Sequence, residues 1–216
     1  MSDSRLRDLE RRWRQTGAVE DEAAYLTERV RTGDLSETMK QVLLLCEYPA
    51  ASLAFRARLT PFLAPDTWIS LLAGTSLETD VRAAIACARL ILPIPATALP
   101  RRSLEASITQ VVTPTEQNRT FAERAWSTCH EEYLSHFFGE EHQTIVEGSI
   151  AVILLTAEII LHRDMPQPLT SIFHRARGLR GVDNVVTAIK SDLIAWALGN
   201  DPLPALLARL QFEAVE

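Results

Sequence analysis

A chain of 216 residues with 47% hydrophobic and 23% charged side chains can bury about 70% of the surface its unfolded form exposes, which excludes a disordered or fibrous chain. The formal net charge of −6 works against sequence-independent binding to nucleic-acid phosphates or anionic lipid, so the fitting partner is a protein with a basic surface. Cys46, Cys87 and Cys129 are odd in number and widely spaced, which excludes a disulfide framework and reads as buried, reduced thiols in a cytoplasmic protein.

The predicted elements are helices throughout. Leu6, Leu9 and Trp13 form one apolar stripe on a first helix, ended by Gly17 in a left-handed cap. The charged first residues carry no apolar run of the kind a secretory signal requires, so none is expected. The second helix places Glu20, Asp21 and Glu22 in its first turn and Arg29 and Arg31 in its last, with Gly33 following, all in accord with the helix dipole. Ser36 caps a third helix that Pro49 closes, and a helix over 50–59 follows. Asp66 is the expected cap of a short helix over 67–74. Thr75 and Glu78 have capping-box spacing for the next, 76–92, which Pro93 and Pro95 end.

Pro100 opens a helix over 101–112. Thr113, Pro114 and Glu116 then supply a cap, a proline at the first helical position and an acid at the third. The helix so begun is expected to run through Trp126 and Tyr133 to Phe138, where Gly139 turns the chain into a second long helix ending near His162. Within it, 150–161 is strongly apolar but interrupted by Thr156 and Glu158, and it falls short of the roughly 20 residues that cross a bilayer. It reads as a core helix, and no membrane contact is expected. Residues 164–168 form a linker, followed by helices over 169–177 and 183–199 and a last one opened by Asp201 and Pro202.

No strand pattern of strict apolar/polar alternation occurs. The fold class is therefore all-α, either an irregular multi-helix bundle or a short HEAT/ARM-like solenoid of helical pairs, with about ten helices. Residues 1–48 read as an N-terminal helical module and 49–216 as the main helical domain, packed together as one compact unit. The hairpin 114–162 is expected to form the central core, with Trp126, Phe137, Ile153 and Leu154 nearly buried.

Residues 129–142, CHEEYLSHFFGEEH, concentrate the groups able to do chemistry. On a helix, Tyr133, Leu134, Phe137 and Phe138 fall toward the core with His130 among them, while Glu132 and His136 share the opposite side. Four residues apart, those two could grip one metal ion, but two ligands from one segment do not hold a metal alone. Glu141 and His142 are the nearest candidates to complete a set. His174 lies further along the chain, and His162 about 30 Å from the turn. HExxH, paired CxxC, GxSxG, P-loop and GxGxxG patterns do not occur. Cys129 and His130 point about 100° apart, the wrong geometry for a nucleophile and base. The arginines of RLRDLERRWR interleave with Asp8 and Glu10, as on a solvated amphipathic helix rather than a nucleic-acid surface.

These readings predict a non-enzymatic protein–protein interaction module without cofactor or metal, its contact surface formed by Glu131, Glu132, Glu140 and Glu141. Two alternatives remain: a helical scaffold or regulatory protein, and a metal-binding helical protein using Glu132 and His136. Oligomeric state is left open.

Two stretches carry resemblances. LERRWRQTGAVEDEAAYLTERVRTGDLS, residues 9–36, resembles an N-terminal helical module found at the front of many uncharacterised bacterial proteins. VRAAIACARLILPI followed by RRSLEASITQVV, within 81–112, is similar to the alanine-rich helical domains of immunity proteins in bacterial toxin systems. That resemblance implies an intracellular protein that binds and occludes a toxin and has no active site of its own.

Overall fold

The computed structural model describes residues 2–56, 63–93, 98–137, 145–162 and 168–212. Among these, every regular element is a helix: α1 Ser2–Thr16, α2 Val19–Thr32, α3 Glu37–Leu45, α4 Pro49–Ala54, α5 Pro65–Leu72, α6 Leu77–Ile91, α7 Ala98–Val112, α8 Glu116–Phe137, α9 Ile145–Leu161, α10 Pro168–Arg180, α11 Val182–Ala197 and α12 Leu203–Phe212. The architecture is an all-α multi-helix bundle.

The chemistry at the helix ends explains the boundaries and moves several of them. Gly17 (φ 61°) and Gly33 (φ 82°) adopt the left-handed backbone that glycine tolerates best, and so end α1 and α2 as expected. The Ser36 hydroxyl accepts the Met39 N–H at 3.2 Å and caps α3. Pro49 does more than close α3, because it occupies the start of α4, where its missing N–H has no helical partner to lose. The helix expected over 50–59 stops at Ala54, since Arg56 turns into the left-handed region at φ 48°. Asp66 is not the cap of α5: Pro65 starts that helix after Ala64, and Asp66 lies in the first turn.

Two further caps shift along runs of adjacent hydroxyl residues. Ser76, not Thr75, caps α6 by accepting the Thr79 N–H at 3.1 Å, and Glu78 pairs instead with Arg82 at 3.2 Å. Thr115, not Thr113, caps α8 by accepting the Asn118 N–H at 3.1 Å, while the Thr113 carbonyl accepts the Asn118 side-chain amide at 2.7 Å. Pro114 therefore precedes the cap. The helix expected over 169–177 is longer at both ends, running from Pro168 to Arg180.

The centre of the bundle is α6, with α9, α10 and α11 packed around it. All of 81–88 is buried. Ala83, Ala84, Ala86 and Ala88 give it small side chains on several faces, so neighbouring helices approach closely from more than one side. A buried hydroxyl, Thr156, donates back to the Val152 carbonyl at 2.8 Å and lies 3.3 Å from the Ala84 carbonyl, joining α9 to α6. The expectation that the hairpin 114–162 forms the central core holds for its second half only. Ile153 and Leu154 are 0% and 5% exposed, but Trp126 on α8 is only half-buried. The side chain of Phe137 lies outside the described residues. The reason is layering: α8 packs on the outside of α7 and α9, and its inner face consists of the small Ala122 and Cys129 with the edge of Trp126.

A smaller apolar cluster joins Leu26, Leu35, Leu43, Ala50 and Ala51 to Ala197 of α11. Nearby, Lys190 reaches Glu47 at 2.6 Å, and the Trp68 indole N–H donates to the Leu45 carbonyl at 2.8 Å. These contacts tie α3 and α5 to α11.

Candidate functional site

Helices α8 and α9 run antiparallel, as two contacts along them show: Trp126 of α8 meets His162 just past α9, and Tyr133 lies near Glu147 at the start of α9. The end of this pair holds the predicted contact residues. Glu131 is exposed and accepts a bond from Ser127 at 3.3 Å. Glu132 is half-buried, with its own polar contacts. Glu140 and Glu141 lie outside the described residues, as do Phe138, Gly139 and His142 and the side chain of His136.

Of the residues expected on the core face, Tyr133 is half-buried, Leu134 departs from the expectation, and the Phe137 side chain and Phe138 lie outside the described residues. Inward residues on α8 follow the spacing Ala122, Trp126, Cys129 and Tyr133, and Leu134 falls about 100° beyond this stripe. Leu134 is 39% exposed rather than part of the core. At the same end, Ile145 is 65% exposed and Val146 36%. Burial raises the Tyr133 hydroxyl, opposed by Arg175 and reinforced by Glu147, so a basic side chain of α10 also belongs to this region.

The cysteine and histidines sit apart from one another. Cys129 is buried and its thiol is pushed up to about 11, by burial first and by the nearby charge of Glu132 second. That shift disfavours the thiolate needed for nucleophilic attack. His130 lies against the Trp126 ring, with ring centres 4.9 Å apart, and His162 meets the same ring edge-on at 5.6 Å. The Trp126 indole nitrogen is buried and has no hydrogen-bond partner among the described residues. His174 is on α10, 3.7 Å from Asp66, which also takes a bond from Arg177. Among the described residues, no three His, Cys, Asp or Glu side chains converge as a metal set, and no helix is long and apolar enough to cross a membrane.

Sequence reasoning missed two polar arrangements between helices distant in the chain. The first is Arg82, 7% exposed, whose guanidinium binds Asp201 through two nitrogens at 2.7 and 3.0 Å and lies 4.6 Å from the Trp196 ring centre. The second is a cleft between α6 and α11 bordered by Arg89 and Arg180. The available signal was an arginine inside an apolar run, at Arg82 and again at Arg89: a buried charge requires a partner, but its position in the chain does not name one.

Comparison with family models, with curated proteins and with solved structures gave no match.

Proposed function

We propose that this chain is a non-enzymatic protein-interaction module that binds a partner with a basic surface through the exposed end of the α8–α9 pair. One observation carries the reading: exposed apolar side chains, Leu134, Ile145 and Val146, occur at the same end of the pair as the acidic Glu131 and Glu132. Contact faces commonly combine an apolar centre with a polar rim. Rim charges act chiefly on encounter and on choice of partner. A basic partner fits a chain of net charge −6. The more specific form of the reading is an immunity-type protein that binds and blocks a toxin, the role implied by the resemblance within residues 81–112.

The test is capture from an extract of the native host, with wild-type bait and with bait carrying Glu131, Glu132, Glu140 and Glu141 all changed to Gln. The expected result is a partner retained by wild type and weakened both by the substitutions and by salt, which screens exposed charges beyond about 10 Å at 0.1 M. Identical partners with both baits, held independently of salt, would contradict the acidic face. Turnover of a small molecule with no protein captured would contradict the interaction reading as a whole.

A further inference from the structure

A cleft of about 530 Å³ opens between the last turn of α6 and the exposed face of α11, with the end of α10 at its side. That volume falls within the range of small-molecule sites. Leu90 and the buried Ala188 give it an apolar wall. The rest of the lining is polar: Asn184, whose side-chain amide donates to the Arg180 carbonyl at 2.8 Å, and four donors, Arg89, Arg180, Thr187 and Ser191.

Arg180 uses only its Nε, which donates to the Leu90 carbonyl at 2.9 Å, so its two terminal amino groups have no partner among the described residues. Arg89 holds Asp192 through one terminal nitrogen at 2.9 Å, and its Nε is buried without a partner among the described residues. Thr187 and Ser191 lie one turn apart on the same face of α11 and line the cleft. Their hydroxyls make no bond among the described residues, whereas those of Ser107, Thr109 and Thr120 in other helices fold back onto the carbonyl four residues earlier. Among the described residues that line the cleft, Arg89 and Arg180 are cationic and none is acidic, and the bond to Asp192 offsets only the charge of Arg89, so the cleft is locally positive in a chain of net charge −6.

We infer that this cleft binds a small organic oxyanion, a carboxylate or phosphate on a short apolar body. A guanidinium offers paired N–H groups that match two oxygens of either anion. The hydroxyls of Thr187 and Ser191 supply further donors along the same edge. Leu90 and Ala188 contact the apolar body. The bonds Arg89 makes to Asp192 and Arg180 makes to Leu90 hold both side chains in place before a ligand arrives, which lowers the ordering cost of binding.

The test is a titration of the full chain followed by proton–nitrogen NMR, reading the amides of Thr187, Ala188 and Ser191 and the Nε–H groups of Arg89 and Arg180. Sodium phosphate, acetate and butyrate are the probes, with sodium chloride at matched ionic strength as control. A single oxyanion held by these groups should saturate in the range of about 1 to 10 mM. Phosphate against acetate identifies the favoured head group, and butyrate should bind more tightly than acetate. Arg180→Gln should weaken binding about tenfold, and Thr187→Val with Ser191→Ala about threefold. The hydroxyl pair is exposed, so that variant should retain the wild-type melting temperature and remain interpretable if Arg180→Gln unfolds. Shifts no larger than those of chloride up to about 100 mM, or affinities unchanged in the hydroxyl variant, would overturn the site. Equal binding of acetate and butyrate would overturn the apolar body.

Discussion

Arg82 sits in the most buried stretch of the chain and is 7% exposed, yet it carries a full charge. The arrangement is tolerable because Asp201 meets it with both oxygens, Glu78 adds a third carboxylate oxygen and the Trp196 ring covers it. Asp201 also accepts the Leu203 N–H at 3.0 Å and so caps α12. Burial would raise the Asp201 carboxyl, but its bonds from Arg82 and the Leu203 amide, with the charge of Arg82, outweigh that and hold it below its ordinary value. Asp201→Ala removes the ion pair and the cap together and should cost about 2 to 4 kcal/mol, measured by denaturant unfolding. Asp80 is the opposite case. It lies in the first turn of α6, where the helix dipole favours an anion, but one of its oxygens is buried without a partner among the described residues, and burial pushes the carboxyl up to about 7. Between its ordinary value of 3.8 and about 7 the folded chain holds this proton more tightly than the unfolded chain does. Its contribution to stability is therefore present at low pH and lost as pH rises through that window. Asp80→Asn should raise the melting temperature at pH 8 and leave it little changed at pH 4. A lower melting temperature at pH 8 would contradict this account.

At the scale of the element, α6 is central because alanine lets three helices reach it. Ile85 and Ile153, both fully buried, stand on α6 and on its neighbour α9. Each change to Ala should cost about 2 to 5 kcal/mol in equilibrium unfolding. Phe121, 60% exposed on α8, should tolerate Ala within about 0.5 kcal/mol. A large loss at Phe121 with near-neutral effects at both isoleucines would place the core elsewhere. The helices themselves were legible in the sequence because start and stop residues bracket almost every apolar run. The caps were less so wherever hydroxyl residues stand close together, since Thr75 and Ser76, or Thr113 and Thr115, offer the same chemistry and only the local backbone selects between them. The central role of α6 was not legible. Leucine and isoleucine stripes mark a direction of burial, whereas a helix lined with alanine on several faces marks none. The long apolar run of α9 drew attention to the hairpin instead. Of the candidate site, Glu131 and Glu132 were legible as charges. The exposure of Leu134 was not, because it depends on α8 lying in the outer layer, and Arg89 and Arg180 border one cleft only in the folded chain.

At the scale of the molecule, one end of the bundle gathers the features assigned a role. Gly148 near the start of α9 lies against Leu179, the neighbour of Arg180, so the exposed apolar residues of the α8–α9 pair and the cleft beside α11 occupy the same end. An acidic and apolar face for a protein partner and a locally basic cleft for a small anion can coexist there, because exposed charges are screened within about 10 Å at 0.1 M salt. The most direct test is hydrogen–deuterium exchange of the chain alone and with the captured partner. Binding through the proposed face predicts slowed exchange over 131–137 and 145–149, with α1 and α2 unchanged. Slowed exchange confined to α1–α3, with the end of the α8–α9 pair unaffected, would contradict it.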